Sequence, residues 1–182
     1  MTYQQELNTA FERAKSFNLI EQAPVLQQTG ILADEDLRKE LGAVCQSYLP
    51  GSPVGMCLLV AQSCIQYVTE RLDRQAWIVV GYLEDTALNK KFWISDPDEV
   101  CRVMRDGKMG IMEVMEFHAW VMLDTGEIID PVVFPTLAEM FPKKFPRGKG
   151  RTNFVMNTGR PYKVVPGLPL LQYHPQGILS VD

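Results

Sequence analysis

Cys57 follows the turn-rich stretch LPGSPVGM and opens the most apolar helical run of the chain, CLLVAQSCIQYVTERL. A residue in the first turn of a helix meets unpaired backbone N–H groups and the positive end of the helix dipole. Both favour a thiolate, and the same N–H groups can hold the oxyanion formed when sulfur attacks a carbonyl. His118, one of two histidines in 182 residues, stands in the apolar run FHAWVML. Twelve positions later Asp130 sits between Ile129 and Pro131. A thiol, an imidazole to take its proton and a carboxylate to orient the imidazole make a nucleophilic set. Each residue alone has a plainer reading. A lone cysteine in an apolar helix is usually core, and a lone histidine in a strand is usually a hydrogen-bonded structural residue.

Whether the three can meet depends on the elements that carry them. Side chains alternate along a strand, so His118, Trp120 and Met122 share one face. A two-residue turn at Thr125-Gly126 would pair Asp130 with Val121, on the opposite face from His118. A three-residue loop, Asp124-Thr125-Gly126, would set Asp130 across from Trp120, diagonal to His118. Diagonal neighbours lie about 7–8 Å apart at the backbone, within reach of a carboxylate and an imidazole. Gly126 suits the left-handed position of the longer loop. The spacing leaves both registers open.

Around these segments, residues 2–18 read as a helix with Tyr3, Leu7, Ala10, Phe11, Ala14 and Phe17 on one face. A second helix is predicted from Ala33 to Tyr48, with an acidic first turn. The run containing Cys57 repeats Val60, Ala61, Cys64, Ile65, Val68 and Leu72 at helical spacing and predicts a buried central helix. AWIVVGYLE and KFWIS read as strands. SDPDEVCRVMRDG reads as a short helix capped by Ser95 and closed by glycine. FHAWVML and EIIDPVV read as strands around DTG, PTLAEMF as one or two helical turns, and YKVV and LLQYH as short strands. Helices first and strands later predict an α+β fold with a mostly antiparallel sheet. The chain reads as a single domain, 1–182, with a helical N-terminal part (1–50), a core carrying the chemistry (51–135) and a basic, Pro/Gly-rich C-terminal extension (136–182).

An apolar fraction of 46% and a charged fraction of 22% fit a globular protein, and no run of 18 apolar residues predicts a membrane span. The N-terminus lacks the basic-then-apolar layout of a secretory signal, which points to a cytoplasmic protein, although signal-independent export leaves no such mark. The cysteines are Cys45, Cys57, Cys64 and Cys101. None forms a C-x-x-C pair and neither histidine lies near two cysteines, so neither a metal site nor a cofactor is expected. Cys45, Cys64 and Cys101 read as core residues. His174, in the proline-rich tail, reads as a surface residue. The net charge of -4 is unevenly spread, with Lys143, Lys144, Arg147, Lys149, Arg151, Arg160 and Lys163 gathered near the C-terminus. Such a run suits either an acidic partner or a solvated loop, and the second is the commoner meaning. No nucleic-acid-binding module is recognisable, so no nucleic acid is expected.

GMCLLVA, RQAWIVVGYL and FHAWVMLDTGEIIDPV, in that order, resemble the core of the transglutaminase-like superfamily. The residues that carry the likeness are Gly55, Cys57, Ala61, Gly81, Tyr82, His118, Ala119, Trp120, Asp130 and Pro131. It spans roughly Gly55 to Val132, and the strand before Gly81 lacks the Gly-Ile-Pro-Ala-Arg of many members. The resemblance implies a papain-like fold in which a helix carrying the cysteine packs on a sheet carrying histidine and aspartate. It implies a catalytic triad of Cys57, His118 and Asp130. The expected activity is acyl transfer from an amide or peptide bond through a thioester, in a protease, amidase, glutamine deamidase or transglutaminase. The expected partner is a protein or peptide substrate. The alternative is a non-catalytic binding module of the same fold.

Overall fold

Thr2 starts the first helix with a capping box: its hydroxyl accepts from the Gln5 N–H, and the Gln5 side chain accepts from the Thr2 N–H. From there the computed structural model describes residues 2–27, 32, 34–48, 54–86, 88–107, 115–145, 155–156 and 171–179. Among these, helix α1 runs Tyr3–Ser16, α2 Glu35–Tyr48, α3 Cys57–Leu72, α4 Pro97–Arg105 and α5 Val133–Met140. The strands are β1 Ala76–Asp85, β2 Lys90–Phe92, β3 His118–Leu123, β4 Ile128–Ile129, β5 Val155–Met156 and β6 Leu171–Leu179. The fold is α+β, and every described strand pairing is antiparallel.

Strand β1 organises the sheet. It is ten residues long and pairs with β6 over Ile78–Asp85, with β3 over Ala76–Gly81 and with β2 over Leu83–Asp85. A strand has two hydrogen-bonding edges, and β6 occupies one along both stretches. Strands β2 and β3 therefore lie end to end on the other edge. Beyond β3 come β4 and then β5. The gap between the end of β2 and the start of β3 opens beside Gly81, whose register partner is His118.

The two faces of the sheet bury different helices. Val79, Leu83, Trp120, Met122 and Ile178 pack with α1 and α5. Ile78, Val80, Ala119, Val121 and Ile129 pack with α2 and α3. This alternation is why β3 reads as uniformly apolar: all six residues are buried, three on each side. Gly81 is required at the crossing of β1 with β6. A Cβ there would stand 2.0 Å from the His174 carbonyl oxygen and 2.8 Å from the Trp120 ring.

Several local expectations change. The cap of α4 is Asp96, which accepts from the Glu99 N–H at 2.9 Å, while the Ser95 hydroxyl donates to the Glu116 carbonyl oxygen at 2.6 Å. EIIDPVV is a strand only at Ile128–Ile129; Val133 already belongs to α5, because the Asp130 carboxylate draws the following N–H groups into a helical entry. Strand β6 runs through Pro175, beyond the expected LLQYH, with a register shift opposite Val80 and Gly81. Strand β5 was not expected from the sequence. Of the basic run, Lys144 pairs with the buried Asp85, tying the turn after α5 to β1. The YKVV segment and Arg147, Lys149, Arg151, Arg160 and Lys163 lie outside the described residues. No helix among the described residues is long and apolar enough to cross a membrane.

Candidate active site

The DTG hairpin takes the longer of its two registers. Val121 pairs with Ile129 and Met122 with Ile128, leaving Asp124-Thr125-Gly126 as a three-residue loop with Gly126 at φ 82°. The Gly126 N–H bonds the Leu123 carbonyl at 2.8 Å and the Leu123 N–H bonds the Glu127 carbonyl at 2.9 Å. Continued by one step, this register brings Asp130 opposite Trp120 and onto the face of His118. The His118 Nε2 and Asp130 Oδ2 atoms are 2.5 Å apart.

Asp130 is held from four directions. Its Oδ1 accepts from the Val132 and Val133 N–H groups, each at 3.1 Å. Its Oδ2 accepts from His118 and from the Tyr173 hydroxyl at 2.8 Å. Pairing of β4 stops just before Pro131, as a residue without an N–H demands. Although pairing ends there, Asp130 lies deep in the core: it is 2% exposed, closed over by β6 and the start of α5.

Cys57 is the first residue of α3, which packs on the other face of the sheet from His118. The two meet because His118 is the first residue of β3. At that end the imidazole can turn past the strand to the helix N-terminus. The half-buried thiol donates to the Phe117 carbonyl oxygen at 3.9 Å, and it lies beside His118 in the same cleft, near enough to help raise the pKa of the ring. With Nε2 on Asp130, Nδ1 is the nitrogen left for sulfur. Among the described residues no side chain caps α3, whereas Thr2, Asp34 and Asp96 cap α1, α2 and α4. The N–H groups of this first turn are thus available to a developing oxyanion.

Burial alone would push the imidazolium of His118 towards deprotonation. The charge and hydrogen bond of Asp130, with contributions from Cys57, outweigh it and raise the His118 pKa to about 10. Such a ring keeps a proton taken from a thiol and can return it to a leaving group. The other cysteines lack this partner. Cys64 is pushed up by its hydrogen bond with Cys45 and by burial, and Cys101 is pushed up to about 11, mainly by burial. Cys45 is lowered because Cys64 bonds to it at 3.9 Å, but a thiol faces it rather than an imidazole.

A cleft of about 410 Å³ opens on Cys57 and His118. Val54, Phe92, Trp93, Met115, Met140 and Phe141 supply apolar walls, and Lys90, Lys91 and Glu116 supply charge. Trp93 stacks on His118 with centroids 5.0 Å apart. It adopts φ 55°, a left-handed conformation that is an outlier for an aromatic residue. That backbone turn ends β2 and lays the indole over the imidazole. Sequence reasoning missed both Trp93 and Tyr173, since neither belongs to a recognisable motif. A larger cavity, about 750 Å³, lies between residues 22–25, α3 and the start of β1. It has no thiol or imidazole in its lining, so the smaller cleft is the better candidate for chemistry.

His174 is not a surface residue. It is buried on β6, stacked on Tyr82 at 4.5 Å, with Nδ1 2.9 Å from Glu6 Oε1 and Nε2 3.0 Å from Glu84 Oε2. The contact with Glu84 is close but lacks hydrogen-bond geometry, so only the bond to Glu6 is directional. Among the described residues no group of three or more His, Cys, Asp or Glu side chains is arranged to hold a metal ion. Comparison with protein families, curated proteins and solved structures finds no match to this chain.

Proposed function

We propose that the protein is a cysteine acyl-transfer enzyme of the transglutaminase-like, papain-like type, acting on an amide or peptide bond. The observation that carries this reading is the buried His118–Asp130 pair with Cys57 beside it in one open cleft, the thiol standing at a helix N-terminus without a side-chain cap among the described residues. The proton of Cys57 passes to His118 Nδ1 before the attack, giving the imidazolium that the raised His118 pKa favours, and the thiolate sulfur then attacks the carbonyl carbon. The first-turn N–H groups of α3 hold the oxyanion. When the C–N bond breaks, the proton on His118 goes to the departing amine and leaves a thioester. His118 then takes a proton from water or from a second amine as it attacks, and collapse returns the free thiol. Water makes the protein a protease, amidase or glutamine deamidase; an amine makes it a transglutaminase.

Alkylation near neutral pH tests the nucleophile. Iodoacetamide should modify Cys57 ahead of Cys45, Cys64 and Cys101, and equal modification of all four would remove the basis of the proposal. Mass spectrometry of protein substrates then identifies the reaction. A gain of about one dalton marks deamidation, while cleavage and cross-linking give larger changes. The second reading, a binding module of the same fold, is favoured by the position of the larger cavity away from the thiol. It predicts ligand binding that survives Cys57→Ala and no acyl transfer by the wild type.

A further inference from the structure

We propose that Tyr173 is a positioning residue of this site, whose hydroxyl sets how tightly Asp130 holds the proton of His118. The inference rests on the acyl-transfer reading for its catalytic consequence, though not for its geometry. Asp130 Oδ2 is the atom in question: it meets both His118 Nε2, at 2.5 Å, and the Tyr173 O–H, at 2.8 Å. A carboxylate oxygen that accepts a second donor shares its charge between the two. The positive end of the Tyr173 O–H dipole also points towards the shared oxygen and weakens the negative potential felt by the imidazole. The hydroxyl therefore restrains the pull of Asp130 on His118. An imidazolium held too tightly is a poor acid for a departing amine, and general acid catalysis works best when that pull is limited.

The placement of the hydroxyl is rigid. Tyr173 is 3% exposed, and its ring meets Trp120 edge-on with centroids 4.9 Å apart. Its backbone pairs with Leu83 of β1. Strand β6 is tied in turn to α1, through His174 on Glu6 and through the Arg13 guanidinium, which donates to the Gln176 carbonyl oxygen at 2.7 Å. Among the described residues, the titratable groups near the His118–Asp130 pair are Tyr173 from β6, which bonds to it, Cys57 from α3 beside His118, and Cys45 and Cys64 from α2 and α3, which feel the Asp130 charge; Lys90, Lys91 and Glu116 line the cleft beyond them. Tyr173 alone among these donates to the shared oxygen in the described contacts. The last described strand thus supplies a part of the proton chemistry that the Cys-His-Asp set omits.

Tyr173→Phe keeps the ring and deletes the donor. The 182-residue chain has two histidines, so its imidazole C–H resonances can be assigned with His118→Gln and followed by NMR from neutral to alkaline pH. The His118 midpoint should rise in Tyr173→Phe by on the order of half a unit to one unit. Replacement of Tyr173 by 3-fluorotyrosine, a stronger donor of nearly the same shape, should move the His118 midpoint down, and it carries the test if Tyr173→Phe does not fold. An unmoved His118 midpoint in the folded variants overturns the proposal, whatever happens to the melting temperature. In turnover, the alkaline limb should follow the midpoint upward and kcat should fall several-fold with KM retained. If the midpoint shifts but Cys57 is never selectively alkylated, the positioning role stands and the acyl-transfer reading fails.

Discussion

His118 and His174 are both buried, both meet a carboxylate and both stack on an aromatic ring, yet their surroundings suit opposite tasks. His118 gives one nitrogen to Asp130 and shares an open cleft with a thiol. His174 has carboxylates on both sides, Glu6 from α1 and Glu84 from β1, and so ties a helix to the sheet. A histidine with two acidic neighbours has nothing to activate. One with an acid on one side and a nucleophile on the other can pass a proton along the line. Burial and a carboxylate partner do not distinguish a reactive histidine from a structural one; the identity of the second partner does.

The sharpest way to break this contrast is Cys57→Ala. Turnover should fall by about a thousandfold or more, as when a nucleophile is removed, with little change in thermal melting. Wild-type turnover in this variant would assign the chemistry elsewhere.

Asp130→Asn comes next. It leaves the shape but takes the charge from an imidazolium buried at 2% exposure. We expect kcat to fall by roughly 10²- to 10⁴-fold, more than KM changes. Because this pair is buried, the melt should also drop, by the equivalent of about 3–5 kcal/mol for a broken buried pair. A variant that melts early but keeps its specific activity would make Asp130 purely structural.

The same pair should show in stability against pH. The folded His118 pKa is raised from 6.5 to about 10, so the folded state holds this proton more tightly than the unfolded chain. The stabilisation is complete below about 6.5 and is lost as pH rises towards and through about 10. Melting curves across that window should fall more steeply for wild type than for Asp130→Asn.

The smaller effects belong to the structural partners. His174→Gln should cost about 1–3 kcal/mol through the loss of its hydrogen bond to the Glu6 carboxylate, with activity per folded molecule retained. Cys64→Ala empties part of the core behind α3 and should cost roughly 1–2 kcal/mol, again sparing turnover. Loss of specific activity in folded His174→Gln would erase the distinction between the two histidines.

Much of the helical framework was legible because its signals are local. The 3.6-residue spacing of Leu7, Ala10, Phe11 and Ala14 in α1, and of Val60, Ala61, Cys64, Ile65 and Val68 in α3, is the same spacing that the core buries. Strand ends were less legible. Trp93 continues the apolar run of KFWIS but leaves the sheet, and Val132 and Val133 look like strand but enter a helix. In both places a contact distant in sequence, with His118 or through the Asp130 carboxylate, outweighs β propensity. His174 misled for a related reason: proline and glycine nearby suggest a surface tail, but Pro175 is accommodated in an edge strand at a register shift.

The sequence by itself determined which residues could carry a proton-transfer chain, where a helix would open on Cys57, and which face of β3 His118 would share with Trp120 and Met122. These follow from residue type and from periods of 3.6 and 2. Tertiary structure decided the rest. The three-residue loop set Asp130 on the face of His118, a choice of one residue in register that would otherwise have sent it to the opposite face. The pairing of β6 with β1 brought Tyr173 to Asp130 from 43 residues away, and the turn after β2 brought Trp93 over the imidazole. Residue types and local periods name the groups that could react; only the sheet register and the packing across it bring them within a few ångströms, because those distances depend on strands that are remote in the chain.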